Sequence, residues 1–279
     1  MKKLFVIMMV AVALTGCSSE EKQAGQILVR AEASLNNGDY NMAKMQIDSI
    51  KMTYPKAFKT RKAGIRLMQK IDLAEQNKTL QYLDSMMQVK VKALDAIKKN
   101  FVLEKDTAYQ EVGNYFYPTQ TVERNINRSF LRAQVSELGE MSLTSIYRGR
   151  SYMHHEAVKV SVGDNFAVTP SSSDRYESTD LGRVTEKADY KVGQDGGVLS
   201  FIMANKDKRI HLEYIGKRKY STYMQTNDIK AVVKLAELAK VLTGIQQIKK
   251  EQGEANLKIR FVTRKMKESE MADRKGMED

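Results

Sequence analysis

Leu80-Gln81-Tyr82-Leu83-Asp84-Ser85-Met86-Met87-Gln88-Val89-Lys90-Val91-Lys92-Ala93-Leu94-Asp95-Ala96-Ile97 sets Leu80, Leu83, Met87, Val91, Leu94 and Ile97 at steps of three and four. That spacing makes one helical stripe of near-heptad period, the pattern of a coiled coil. No Gly or Pro occurs between Gly64 and Gly113, so the span can carry one long helix. A second span without either breaker, residues 217–243, leads into Ile229, Val232, Val233, Ala236, Leu238, Val241, Leu242 and Ile245, with Asn227-Asp228 as the expected N-cap. The two helices are expected to pack together, with residues 101–226 emerging between them. The alternative is that each stripe packs on its own neighbour.

The 279 residues include 46 Lys and Arg against 34 Asp and Glu, for a net charge of +12, with 42% hydrophobic residues. This suits one sizeable folded domain or two smaller ones, without need of disulfides. A single Cys excludes an intramolecular disulfide, a Cys-based zinc site and an iron–sulfur cluster within one copy of the chain. Basic character alone would admit nucleic acid or an anionic surface as a partner.

The start of the chain narrows that choice. Lys2 and Lys3 precede an apolar run over residues 4–14, too short to cross a ~30 Å hydrocarbon core but matching the h-region of a secretory signal. The run ends in Leu14-Thr15-Gly16-Cys17, which resembles the lipobox of bacterial lipoproteins, and the chain's one Cys stands at that position. The resemblance implies a signal peptide over residues 1–16, acylation of Cys17 and a lipidated linker over residues 17–23. Three acyl chains, at ~0.8 kcal/mol per buried CH₂, hold a protein at a bilayer durably. Secretion argues against nucleic acid. Ser18-Ser19-Glu20-Glu21 has no Asp after the Cys and resembles the acidic patch of exported lipoproteins, which implies an outer-membrane location, facing the periplasm or the cell surface.

Ala31, Asn37-Gly38-Asp39-Tyr40, Ala43, Ile47, Ile50 and Tyr54-Pro55 resemble one tetratricopeptide repeat, most closely those of periplasmic outer-membrane assembly lipoproteins. A following repeat would place another Gly-Asp-Tyr turn near residues 71–73, where Ile71-Asp72-Leu73 stands. About three repeats are needed for a peptide-binding superhelix, so a groove-binding array is excluded. The resemblance implies one helical hairpin feeding the long helix, together residues 24–100.

From Pro118 the pattern becomes strand-like. Residues 130–135 and 141–147 flank Glu137-Leu138-Gly139-Glu140 as a hairpin, although Arg124, Arg128 and Arg132 leave a helix open for the first limb. Residues 152–162, 198–203, 210–215 and 220–224 read as further strands, with turns at Gly163-Asp164-Asn165, Asn205-Lys206-Asp207-Lys208 and Gly216-Lys217-Arg218-Lys219. Residues 169–197 read as a long polar loop, mobile or ligand-binding, and residues 257–262 as a last strand before a charged tail that is frayed or extended. The expected fold is α+β: the helical hairpin and long helix, an antiparallel β sandwich or small barrel over residues 101–226, a helix at 227–252 returning onto the long helix, and residues 253–279 beyond it.

Chemistry-bearing motifs are few. In His154-His155-Glu156, strand alternation places His154 inward with Val158 and Val160 and His155 outward, so the adjacent imidazoles diverge from any common ion. His154 is then expected half-buried, with His155 and His211 exposed. No Gly-x-Ser-x-Gly elbow or phosphate loop is found, the carboxylate pairs Asp174 with Asp180 and Glu186 with Asp189 read as solvated residues of polar loops, and no metal or other cofactor is implied. The basic clusters at Lys206, Lys208 and Arg209 and at Lys217, Arg218 and Lys219, with Tyr214 and Tyr220, are the expected contacts for a partner protein or an anionic glycan. The sequence thus reads as a non-enzymatic, lipid-anchored component of an envelope assembly, or alternatively as a binding module for an anionic glycan or lipopolysaccharide-like ligand.

Overall fold

The structure is a computed structural model that describes the backbone of residues 2–278 and the side chains of residues 19–274, Val192 excepted in both. The side chains of residues 14–17, the stretch that resembles a lipobox, lie outside these described residues. The chain divides into two compact units, residues 1–86 with 249–279 and residues 87–248. The fold is α+β. Its helices are α1 (Lys2–Asn36), α2 (Tyr40–Thr53), α3 (Phe58–Lys98), α4 (Val122–Asn125), α5 (Val198–Ala204) and α6 (Thr226–Glu278). Its strands are β1 (Val102–Glu104), β2 (Asn114–Phe116), β3 (Phe130–Ser136), β4 (Met141–Gly149), β5 (Ala157–Val162), β6 (Asn165–Val168), β7 (Asp174–Asp180), β8 (Arg183–Tyr190), β9 (His211–Ile215) and β10 (Lys219–Tyr223). Among the described residues no helix is long and apolar enough to cross a membrane.

In the helical unit, Gly38 takes φ +74° at the end of α1, a conformation favouring glycine, and Asp39 caps α2 by accepting from the Met42 N–H at 3.0 Å. Ala24, Ala31 and Ala43 are completely buried, so the helices approach over methyl groups. Gly64 of α3 faces Ile47 across a gap that a methyl group would just fill. Leu67 and Ile71 complete that core. The returning α6 meets α3 here through Gln252, whose amide donates to Asp84 at 2.7 Å, and through Asp273, which pairs with Lys62 and Arg66.

The second unit holds two open antiparallel sheets rather than a closed barrel. One runs β1-β2-β3-β4-β8-β7 and the other β10-β9-β5-β6. Leu131, Ala133 and Val135 of the first, Val158, Val160 and Leu212 of the second, Val198 and Ile202 of α5, and Val232, Leu235 and Leu238 of α6 share one core, with Leu94 and Ile97 of α3 packed against it. The β3–β4 turn seats against α6: Gly139 has φ +89°, and a Cβ there would lie 2.5 Å from the Thr243 nitrogen.

Several expectations need correction. Residues 198–203 form α5, and residues 257–262 together with the expected tail belong to α6, because short apolar runs fit either period and their neighbours decide. The polar stretch 169–197 contains the β7–β8 hairpin, closed by Leu181-Gly182 with both residues at positive φ, as a type I′ turn requires. β3 is a strand, so the helical alternative for the first limb of the hairpin fails, and the short helix before it, α4, ends at Asn125. Asp228 is no N-cap: α6 begins at Thr226, and Asp228 in its first turn holds Arg128 through two hydrogen bonds of 2.6 and 2.7 Å. Val91 of the long stripe is exposed.

Candidate functional site

Between the two sheets the chain crosses from β4 to β5 without strand structure at residues 152–156. His154 sits there at φ +53°, which breaks the alternation on which its burial was expected. His155 is therefore 2% exposed instead of outward, while His154, half-buried as expected, turns away from the core to pair with Glu177 at 2.8 Å. Strand pairing of Ser145 with Ala188 and of Tyr147 with Glu186 sets Ser145, Tyr147 and Glu186 on the inner face of the first sheet, where His155 meets them.

Glu186 accepts from three consecutive backbone N–H groups, Met153 at 2.6 Å, His154 at 3.1 Å and His155 at 2.8 Å, and lies 3.0 Å from His155 Nδ1. Burial pushes the Glu186 carboxyl up, but these donors outweigh it, and the group stays below the ordinary carboxylate range. Burial holds the His155 imidazole below its ordinary value of 6.5 against the pull of Glu186. The consistent state is a neutral imidazole whose Nδ1–H donates to an ionised Glu186 and whose Nε2 accepts from the Ser145 hydroxyl at 2.8 Å. The order hydroxyl, imidazole, carboxylate is that of a nucleophilic triad. Here Ser145 has no solvent exposure, and the Tyr147 and Tyr214 rings pack at 6.4 and 5.4 Å from the imidazole, so the three groups form an enclosed interior network. Among the described residues no group of three or more His, Cys, Asp or Glu is placed to hold a metal ion.

The surface above this crossover is basic. Gly216, in the β9–β10 turn, lies so close to it that a Cβ would stand 2.5 Å from the His154 carbonyl oxygen. The Lys217 N–H donates to the Met153 carbonyl at 2.9 Å, and the Arg218 guanidinium donates to Ser151 Oγ at 2.7 Å and the Tyr152 carbonyl at 2.6 Å. The turn is thereby fixed, and Lys217 joins His154, Ser173, Arg175 and Glu177 around a shallow depression of about 590 Å³. Tyr152 stacks on His154, with ring centroids 5.7 Å apart. Arg175 is paired with Glu156 and Lys219 with Glu213, whereas no carboxylate pairs with Lys217 or Arg218 among the described residues.

The expected contact residues do not form one patch. Lys206, Lys208 and Arg209 precede β9 and Lys217, Arg218 and Lys219 follow it, so the length of the five-residue strand, roughly 16 Å at 3.3 Å per residue, separates them. Arg209 stacks 3.7 Å over Tyr223, and Lys208 donates to Asn205. Tyr214 is wholly buried because inward alternation along β9 turns it into the core, so it cannot reach a partner. Tyr220, 39% exposed, packs edge-on to Tyr147 at 5.4 Å. Sequence reading missed Ser145 and took Glu186, 1% exposed, for a solvated loop carboxylate, since only strand pairing brings the two to His155; it also missed Arg175, hidden in the supposed loop. Comparison of the chain with family models, curated proteins and solved structures finds no match.

Proposed function

We propose that the chain is a lipid-anchored cell-envelope protein, attached through Cys17, that serves as a non-enzymatic interaction component of an outer-membrane assembly. The observation that carries this reading is the placement of the only Cys at the end of a signal-like run, followed within seven residues by Ala24, already buried in the helical core. So short a linker suits a protein that works beside its membrane. Expression of Cys17→Ser should give unprocessed or soluble protein without palmitate label. Label retained in that variant, together with membrane fractionation after a high-salt wash, would refute the anchor. A pull-down from detergent-solubilised membranes should return envelope proteins in fixed ratio, and repeated recovery of the chain alone would refute the assembly role.

A second reading, an anionic glycan or lipopolysaccharide-like ligand, is favoured by one observation: among the described residues Lys217 and Arg218 lie without carboxylate partners, on a turn fixed by hydrogen bonds to the Met153 and Tyr152 carbonyls. Binding of such a ligand that weakens with salt and is lost in Lys217→Ala/Arg218→Ala would support it.

A further inference from the structure

We infer that the α2–α3 connection is a second membrane contact, a basic and apolar face that lies on an anionic phospholipid surface beside the lipid anchor. This rests on the anchor at Cys17 proposed above. Residues 51–62, Lys-Met-Thr-Tyr-Pro-Lys-Ala-Phe-Lys-Thr-Arg-Lys, contain five cations and no carboxylate. Lys62 is held by Asp273 at 2.8 Å, but among the described residues no ion pair engages Lys51, Lys56 or Lys59. Beside these cations stand two large apolar side chains, Met52 at 80% and Phe58 at 71% exposure. Exposed apolar side chains in a Lys-rich segment suit a headgroup interface, where the chains enter the acyl boundary and the ammonium groups meet phosphate.

The position of the connection selects the bilayer as its occupant. Glu21 accepts from the Lys59 N–H at 2.9 Å, the Thr60 N–H at 3.2 Å and the Thr60 hydroxyl at 2.6 Å, which fastens the start of α3 to the start of the folded chain. Ala24 packs with Ile50 and Ala57 in the same cluster. Glu21 stands four residues after Cys17. Even fully extended, that link spans at most about 14 Å. A chain acylated at Cys17 therefore has Lys59 held at its anchor, and the charge of the connection is complementary to that of an anionic leaflet.

The chain has no Trp, so Phe58→Trp supplies a sole indole, excited at the red edge where the 13 Tyr do not absorb. The acylated full-length protein, its acylation checked by mass, would be reconstituted into vesicles of phosphatidylcholine alone or with about one quarter phosphatidylglycerol, with brominated lipid as quencher. The expected result is a blue-shifted indole quenched about threefold more strongly on the anionic vesicles, an excess that about 0.5 M salt removes. Lys51→Glu/Lys56→Glu/Lys59→Glu should lower quenching to the neutral-vesicle level, while the charge-matched Lys249→Glu/Lys250→Glu/Lys258→Glu should retain it. Equal quenching on both vesicles, a solvent-exposed indole on the acylated protein, or equal loss in both triple variants would overturn the inference and leave the anchor standing. A mass without acyl groups would instead remove the anchor, and this inference with it.

Discussion

The helical unit buries Ala24, Ala31, Ala43 and Ala57, whereas the β unit buries Gln120, Ser145, His155, Glu186 and Asp228. The difference follows from how each backbone satisfies its hydrogen bonds. A helix pairs its own N–H and C=O groups, so helices can close over methyl groups and leave their charges outside, as Lys44 does with Asp72 and Glu75 at about 30% exposure. A chain crossing between two sheets leaves N–H groups outside any ladder, here at residues 153–155, and an unpaired buried N–H is costly. Glu186 supplies the acceptors, and His155 with Ser145 completes the network. One interior depends on smallness and the other on polar completeness.

The largest effect that could break this contrast is expected at Glu186. Glu186→Ala strands three backbone donors and a ring N–H, and should cost about 4 kcal/mol in urea unfolding. A loss below about 1 kcal/mol would mean that water replaces the carboxylate and that polar completeness is not required. In the helical unit, Ala31→Leu overpacks a fully buried position and should cost about 2 kcal/mol. Tolerance of leucine there would show that the helices need no close approach.

Acidification tests the same network. Because the His155 pKa is lowered by folding, its contribution is complete above the ordinary value of 6.5 and is lost as pH falls below it. Glu186, also lowered, is lost in turn below its ordinary 4.5. One proton sets a limit of about 1.4 kcal/mol per pH unit. Denaturant midpoints from pH 7 to 5 should therefore fall in the native chain and flatten in His155→Asn; parallel slopes would show that His155 does not titrate with unfolding. Smaller still is Tyr214→Phe. Among the described residues the buried Tyr214 hydroxyl has no hydrogen-bond partner, so its removal should leave stability within about 1 kcal/mol, on the stabilising side. The outward His154 should tolerate Ala within about 0.5 kcal/mol, and a larger loss would reverse the assignment of the two imidazoles.

What the sequence revealed depended on how local the cause was. The long stripe ending at Leu94 and Ile97, the 130–147 hairpin and the Gly163 and Gly216 turns are set by neighbours in the chain, and all were legible. The β7 strand was not: it is exposed along nearly its whole length, so no alternation of apolar and polar residues marks it. In α5, Val198, Leu199 and Ile202 are buried at helical spacing in a segment too short for its period to be told from a strand's. Of the basic shelf, Lys217 and Arg218 were found on their turn, but His154 and Arg175 reach it only through the left-handed residue at the crossover and the pairing of β7 with β8.

The β7–β8 hairpin also offers a handle. Leu181 at its tip is 93% exposed and, with Gly182, lies beyond the last cross-strand pair, Asp180 with Arg183. A short epitope spliced between Leu181 and Gly182 would lengthen a connection without moving a buried side chain, and loop length costs little. For a chain anchored as proposed, antibody access to that epitope on intact cells, or only after the outer membrane is permeabilised, would report which side of that membrane the anchor holds it on.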